Sequence, residues 1–218
     1  MKLFKYIAVV GVLCAAFTAK ADTIFDLTVG NSAISGFPGP YAQVDVSLTS
    51  STTATITFTS LTNMGNIYLF GDGGSVDVNV NATSFSLSGI SGGNSGTGFT
   101  PGPYSDGGSG NVDGFGVFNQ TINSFDGFTH SSDTIMFTLT DLSGTWASSA
   151  SVLTANASGA LAAAHIFVTS SPANASNSAL ATGFASNGGA HVPDGGTTAV
   201  LLGAGLSGLA LVRRFVKR

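Results

Sequence analysis

The residues best suited to bind a ligand are Asp and Asn side chains in glycine-rich segments. They form two groups, Asp72 with Asp77, and Asp106 with Asn111 and Asp113. Carboxylate and amide oxygens are the ligands that Ca²⁺ prefers in proteins. Asp and Asn at glycine-rich turns also bond to their own backbone without any ligand. The pattern therefore allows two interpretations, a calcium site or turn-capping side chains.

Patterns typical of catalysis are few. Gly89, Ser91 and Gly93 match the spacing of the nucleophile elbow of hydrolases, but that motif requires a strand-to-helix turn, and here more Gly and Ser follow. His165 lies beside Ile166 in an apolar segment, which is typical of a structural histidine. The chain has no Glu, which excludes a His-Glu-x-x-His zinc helix and a standard EF-hand. We therefore predict no enzymatic activity and no cofactor, calcium apart; a hydrolase site formed by distant Asp, His and Ser residues is the remaining alternative.

Charged side chains are distributed very unevenly. All seven Lys and Arg residues lie near the two ends, and none lies between Asp22 and Val212. All eleven acidic residues are Asp, and ten of them lie between Asp22 and Asp141. Carboxylates in that region must therefore be satisfied by backbone N–H groups, hydroxyls, water, histidine or a bound cation. Nucleic acid is excluded as a partner because phosphate binding requires Lys and Arg.

The first 21 residues have the order of a signal peptide. A basic start is followed by an uncharged stretch from Tyr6 to Thr18 and by the small-x-small pattern formed by Ala19, Lys20 and Ala21. We predict cleavage after Ala21. The one cysteine, Cys14, would leave with this segment, so the exported chain would have no disulfide and no thiolate ligand.

Residues 22–169 have the alternation of half-buried strands. One set of alternating apolar side chains runs from Val44 to Leu48, and a second runs from Ala54 to Phe58. Further strands are predicted at Asn66 to Phe70, Ser75 to Val80, Thr83 to Leu87, Val112 to Phe118, Thr134 to Thr140 and Ala164 to Thr169. Many short strands with few helix formers favour an all-β fold, an antiparallel β-sandwich of jelly-roll-like type.

Two stretches interrupt this strand pattern. Ser88 to Gly110 is rich in Gly and Ser and is predicted to be a long surface loop. Residues 170–191 are rich in Ser, Asn and Ala and have little apolar periodicity, so they are predicted to form a flexible stalk. The predicted ectodomain therefore covers residues 22–169.

The C-terminal residues 192–218 combine three features in order. They are a motif, an uncharged stretch from Thr197 to Val212 and a basic cluster. The motif consists of Val192, Pro193, Asp194, Gly195 and Gly196, and the basic cluster of Arg213, Arg214, Lys217 and Arg218. The uncharged stretch predicts a single transmembrane helix, because about 16 to 18 helical residues cover roughly 24 to 27 Å and local thinning can supply the rest. The positive-inside rule then places the basic cluster in the cytoplasm. A plain membrane anchor is one interpretation.

These last residues resemble the PEP-CTERM family of sorting signals, in the variant that begins Val-Pro-Asp-Ser-Gly. Gly195 stands where that variant has Ser. The resemblance implies that a membrane-embedded exosortase, a cysteine transpeptidase, recognises the tail and cleaves near Pro193 and Asp194. The segments Val112 to Gly116, Phe125 to Phe128 and Ala163 to Ile166 resemble ectodomains carried by such proteins, and this second resemblance implies no activity.

Together these observations predict a non-enzymatic exported protein. It would be anchored transiently in the membrane and then lie at the cell surface or in an exopolysaccharide matrix. The alternative is a calcium-dependent or carbohydrate-binding adhesin, with its site on the loops between Gly71 and Gly116.

Overall fold

The computed structural model describes residues 21–187 and the backbone of residues 192 and 193. The predicted signal peptide, apart from Ala21, lies outside the described residues, as do the predicted transmembrane helix and the basic cluster. Among the residues that are described, none belongs to a helix of the length and apolar character that a membrane span requires. Helical structure in this part is confined to two 3-10 turns, Phe128–His130 and Ser149–Ser151.

The described part of the chain is an all-β structure whose strands pair antiparallel. The strands are β1 (Thr23–Leu27), β2 (Val29–Gly30), β3 (Ala42–Leu48), β4 (Thr53–Ser60), β5 (Thr62–Asn63), β6 (Asn66–Phe70), β7 (Val76–Val78), β8 (Phe85–Gly93), β9 (Ser105–Val112), β10 (Gly116–Asn123), β11 (Thr134–Asp141), β12 (Ala162–Ser170), β13 (Ala181–Ser186) and β14 (Val192–Pro193). This confirms the predicted all-β class.

The strands form two sheets. The first has six strands in the order β14, β1, β3, β4, β11, β8. The second has eight strands, with β2, β13, β12, β7, β10 and β9 in order and with β6 pairing the far end of β12 and β5. Strand β12 is the centre of the second sheet, because it pairs β13 along one edge and β7 followed by β6 along the other.

One hydrophobic core fills the space between the sheets, which is the arrangement of a sandwich. In β3 and β4 every second side chain is buried, which is the alternation that the apolar residues predict. Phe58 of β4 contacts Phe70 of β6 edge-on, with ring centroids 6.1 Å apart, and so joins one sheet to the other. Phe58 also stacks on Phe137 of β11 at 6.3 Å. These fully buried aromatic rings are part of one hydrophobic core, whose burial stabilises a domain without disulfides.

The long loop predicted at Ser88 to Gly110 is shorter in the structure, because both of its ends belong to strands. Strand β8 continues to Gly93, where it pairs β11, and β9 begins at Ser105 and pairs β10. Gly and Ser have low strand propensity, so these segments owe their extended form to backbone pairing with neighbours rather than to their own side chains. The predicted strand from Val112 to Phe118 is interrupted in the middle, because Val112 ends β9, the chain turns, and β10 begins at Gly116.

The structure also corrects the predicted stalk at residues 170–191. Strand β13 lies inside that segment and pairs β12 from Ala163↔Ser186 to Val168↔Ala181. Its side chains are mostly small, so it carries no clear apolar period, yet Gly183, Ala185 and Ser186 are buried. The sandwich therefore extends well past residue 169.

Candidate functional site

The most distinctive polar group of the structure is Asp77, in the middle of β7. Its neighbours Val76 and Val78 point into the core, so strand alternation directs Asp77 to the outer face of the second sheet. Register places Asp77 opposite Thr121 of β10 on one side and Ala163 of β12 on the other. The side chain is nevertheless only 1% exposed.

The cover over Asp77 comes from the β9–β10 hairpin. The pairing of these strands shifts register on both sides of Thr121, and such irregularities bend a strand ribbon. Val112 at the end of β9 belongs to a second, smaller apolar cluster with Ala163 of β12, and Phe184 of β13 packs against it. The hairpin therefore lies across the outer face of the sheet, above Asp77.

The carboxyl group of Asp77 is only half satisfied. Thr121 Oγ1 donates a hydrogen bond to Oδ1 at 2.7 Å. Oδ2 is buried and makes no hydrogen bond with any described residue. Burial raises the pKa of Asp77 from 3.8 to about 7, and the hydrogen bond from Thr121 offsets this only in part.

Asp77 faces a cavity of about 260 Å³, which we call the Asp77 recess. It is lined by Gly73, Gly74, Asp77, Gly107, Gly110, Asn111, Val112, Thr121, Asn123 and Phe184. A β-carbon on Gly74 would lie 3.3 Å from Asp77 Oδ2, and one on Gly110 would lie 2.6 Å from Thr121 Oγ1. Glycine at these positions therefore keeps the recess open and lets the backbone approach the polar groups.

Asn123 contributes a second polar group to the recess. Its Oδ1 accepts a hydrogen bond from the backbone N–H of Gly74 at 2.9 Å, which fixes the orientation of the amide. The amide nitrogen Nδ2 then points toward β9, where a β-carbon on Gly107 would lie 2.7 Å from it. The recess therefore presents an acceptor, Asp77 Oδ2, together with an amide donor.

The nearest histidine, His165 of β12, has the surroundings of a structural residue. Its ring stacks on Phe184 with centroids 4.4 Å apart, and Nε2 bonds to the hydroxyl of Thr182 at 2.8 Å. Burial lowers the pKa of His165, and the charge of Asp72 and the backbone of Gly73 and Gly71 offset this in part. The Asp72 carboxylate accepts a hydrogen bond from the backbone N–H of Gly127 at 2.6 Å.

The five calcium candidates are separated into different environments. Only Asp77 and Asn111 line the same recess. Asp106 Oδ1 accepts bonds from Gly108 N–H and the Gln120 amide, both at 2.8 Å, and Asp113 accepts one from Asn31. Among the described residues, no three Asp, Glu, His or Cys side chains come close enough to hold a metal ion. The calcium site stays a prediction. The recess shared by Asp77 and Asn111, where two of the five candidates meet, contains a single carboxylate.

Thr121, Asn123 and Phe184 were not among the candidates. Thr121 and Asn123 flank the core residue Ile122 on β10, so strand alternation alone indicates that they share the opposite face. Phe184 gave no such signal, because it belongs to the segment predicted to be a stalk. Ser91 of the elbow-like pattern lies within β8, opposite Met136, and not at a strand-to-helix turn.

A second cavity, of about 600 Å³, lies beside Asp141 at the end of β11. Here the carboxyl group is held by its own turn: Oδ1 accepts bonds from Ser143 N–H at 2.8 Å, Ser143 Oγ at 2.9 Å and Gly144 N–H at 2.9 Å. The wall residue Trp146 is also satisfied, because its indole N–H donates to the Asn81 carbonyl at 2.8 Å. We call the turn formed by Asp141, Ser143 and Gly144, which borders this cavity, the Asp141 turn.

The beginning of the C-terminal motif lies at an edge of the first sheet. The backbone of Val192 and Pro193 pairs antiparallel with β1, in the register Thr23↔Pro193 and Ile24↔Val192. Proline has no N–H to donate, and an edge position is where a sheet tolerates it. Asp194, Gly195 and Gly196 lie outside the described residues.

Comparison with known proteins identifies the tail alone. Residues 191–214 match the family model described as the VPDSG-CTERM motif. No curated protein and no solved structure matches the chain. The chain therefore carries a C-terminal sorting signal of the VPDSG-CTERM type, as the resemblance implied.

Proposed function

We propose that this chain is a non-enzymatic exported protein of the cell surface or exopolysaccharide matrix, and that an exosortase cleaves it at its C-terminal motif. The observation that carries the proposal is the match of residues 191–214 to the VPDSG-CTERM motif. The signal peptide delivers the chain across the membrane, the transmembrane helix holds it there, and cleavage near Pro193 and Asp194 releases the sandwich to its destination.

The composition of the sandwich supports an extracellular role. Neither Lys nor Arg occurs between Asp22 and Val212, so the domain keeps a negative charge that favours solubility. Its stability needs no disulfide, because the core between the sheets is extensive. Such a domain folds after export without any oxidative step.

The surroundings of the polar residues support a non-enzymatic role. His165 Nε2 bonds to Thr182, and Nδ1 makes no hydrogen bond with a described residue, so no carboxylate holds the ring as in a catalytic triad. The hydroxyl of Thr182 lies on a strand, away from any helix N-terminus in the described part of the chain. It is therefore not at the strand-to-helix turn where a nucleophile elbow places its hydroxyl.

The second candidate function is a carbohydrate-binding adhesin. The Asp77 recess favours this second function. Most of its glycine, Asp and Asn lining lies in the predicted region between Gly71 and Gly116, and the recess combines polar groups with an aromatic wall. A calcium-dependent form of this function has less support, since the recess holds a single carboxylate.

The sorting proposal is tested by the C-terminus of the mature protein in its own cells. Mass spectrometry of the purified surface fraction should find a terminus near Pro193 and none at Arg218. Deleting the exosortase should restore the full tail and shift the protein to the membrane fraction. An intact Arg218 in the surface fraction would instead support a plain anchor.

Two substitutions in the motif sharpen this test. Replacing Pro193 and Asp194 together by Ala should block cleavage and leave the uncut chain in the membrane. Gly195→Ser is the matched control, because it restores the residue of the Val-Pro-Asp-Ser-Gly variant and should be processed as well as the natural chain. Equal processing of all three chains would contradict recognition through this motif.

A further inference from the structure

The Asp77 recess contains a polar atom that the fold itself does not satisfy. Oδ2 of Asp77 is buried without a hydrogen bond to any described residue, in a side chain only 1% exposed. A buried carboxyl oxygen without a partner is costly and is rare in native structures. The β9–β10 hairpin covers this atom although the sandwich core lies on the other face of the sheet. An occupant that bonds to Oδ2 explains both features.

The size of the recess limits the occupant to a small molecule or a single unit of a chain. Its volume is about 260 Å³, just below the range of roughly 300 to 1,000 Å³ that holds drug-sized ligands. Gly74, Gly107 and Gly110 lack the β-carbons that would narrow it. One face is apolar, formed by Val112 and Phe184.

The polar groups of the recess favour hydroxyl groups over a cation. Asp77 Oδ2 accepts hydrogen bonds, whereas Asn123 Nδ2 donates, because Asn123 Oδ1 is already bonded to Gly74. A hydroxyl group donates one hydrogen bond and accepts others, so neighbouring hydroxyls match both partners. An ammonium group has only donors and leaves the Asn123 amide unmatched.

A divalent cation fits the recess less well than hydroxyl groups do. Asp77 is the one carboxylate among its lining residues, and Asp106 on the adjacent strand is engaged by Gly108 and Gln120. Calcium sites in proteins use six to eight oxygen ligands, usually with several carboxylates.

We propose that the Asp77 recess binds one neutral sugar residue. Asp77 Oδ2 accepts a hydrogen bond from a ring hydroxyl, the Asn123 amide donates to a neighbouring hydroxyl oxygen, and Phe184 packs against the carbon-bearing side of the ring. Sugar binding is a function of the sandwich itself and is separate from sorting by the C-terminal tail. That the sugar residue belongs to a matrix polysaccharide rests on the proposed function. The binding of a sugar residue in the recess does not depend on where the protein is located.

Isothermal titration calorimetry on the full-length chain at pH 8, where Asp77 is mostly ionised and accepts hydrogen bonds, tests the proposal. The chain is kept in a polyoxyethylene detergent, because glycoside detergents would compete for the site. The probes are the methyl glycosides of glucose, mannose, galactose and N-acetylglucosamine, with glucosamine and calcium chloride as cationic probes. We expect at least one neutral glycoside to bind with a Kd of about 1 mM or tighter.

The matched variants are Asp77→Asn and Asp126→Asn. Asp77→Asn keeps the shape and the bond from Thr121 but replaces the accepting Oδ2 with a donor, so the neutral glycoside should bind at least about tenfold more weakly. Asp126 is exposed in a loop, and the same substitution there should leave the affinity within about twofold. Circular dichroism checks that both variants are folded.

Three results would overturn the proposal. They are no binding of any neutral glycoside, binding of glucosamine or calcium alone, and unchanged affinity in a folded Asp77→Asn variant. None of these results affects the sorting proposal, which is decided by the C-terminus of the mature protein.

Discussion

Asp77 and Asp141 are both carboxyl groups beside a cavity, but their surroundings move their pKa values in opposite directions. In the Asp141 turn, hydrogen bonds from Ser143 and Gly144 hold the pKa of the carboxyl group below its usual value. In the Asp77 recess, burial raises the pKa to about 7.

The difference follows from where each residue lies along the chain. Asp141 ends a strand, and the next residues turn, so their backbone N–H groups are free to bond to its side chain. Asp77 lies in mid-strand, where pairing with β10 and β12 uses the neighbouring backbone groups. In a region without Lys or Arg, a carboxylate in a turn is satisfied locally, whereas one in mid-strand depends on the tertiary structure or a ligand.

The largest expected effect is a gain of stability in the Asp77→Asn variant at alkaline pH. The folded-state pKa lies above the unfolded-state value, so folding retains a proton and stability falls as the pH rises from about 4 to about 7. At pH 8 the buried charge is fully present, and its removal should raise the free energy of unfolding by about 2–4 kcal/mol, or Tm by about 5–10 °C.

The control for this prediction is the same comparison at pH 5. There Asp77 is protonated in the folded state and only about a third of the loss between about pH 4 and about pH 7 has occurred, so the gain in Tm of the variant should shrink to about a third of its value at pH 8. Thermal melting followed by circular dichroism measures both. A lower Tm for Asp77→Asn at pH 8 would contradict the buried, half-satisfied carboxylate.

A smaller effect of opposite sign is expected at the Asp141 turn. Asp141→Ala removes the acceptor of three hydrogen bonds and should lower Tm at pH 7 by a few degrees, whereas Asp141→Asn keeps an acceptor at Oδ1 and should lose less than half of that. The folded-state pKa is depressed, so this stabilisation is present above the usual carboxyl pKa and is lost as the pH falls through the folded-state value.

The two Asp→Asn substitutions therefore test the comparison directly. Asparagine should stabilise at position 77 and should not stabilise at position 141, when both are melted at pH 8. A gain at both positions would indicate general relief of negative charge in a domain without cations, and the contrast between turn and strand would then be wrong.

The smallest expected effect is that of calcium. The calcium candidates other than Asp77 and Asn111 are dispersed and bonded to protein groups, so millimolar calcium should change Tm by less than about 1 °C relative to a chelator. A calcium-dependent rise in the natural protein that is absent in Asp77→Asn would show that the recess takes a cation.

The strands rich in branched and aromatic residues are predictable from sequence. The alternation in β3, β4 and β11 and the apolar run in β6 place these elements within a few residues of their observed ends. Their side chains carry the energy of burial, so the pattern of apolar residues reflects the fold directly.

The glycine-rich and alanine-rich strands are not predictable in the same way. β9 consists of Ser, Asp, Gly and Asn before Val112, and its extended form depends on pairing with β10. The turn between them was marked by the Asp113–Gly114 pair, a typical hairpin signal, and Gly114 does adopt a positive φ of 85°. Strand β13 likewise depends on the long edge of β12.

The candidate site was half predictable. Asp77 and Asn111 were singled out by residue type, but in two different groups of calcium candidates. Their meeting in one recess requires the β9–β10 hairpin to cross the outer face of the second sheet, which local sequence does not encode. Phe184 reaches the recess only because β13 joins that sheet.

The C-terminal sorting signal could be identified from the sequence alone. The sorting motif is a short linear signal, read from consecutive residues, so it needs no fold to be recognised. The absence of Lys and Arg between Asp22 and Val212, and of Glu from the whole sequence, is likewise visible without any structure, and it limits how the carboxylates of that region can be satisfied. The burial of Asp77 with Oδ2 unbonded by any described residue follows from the tertiary structure, because hydrogen bonding and burial depend on groups that are distant along the chain and meet only when the sheets pair.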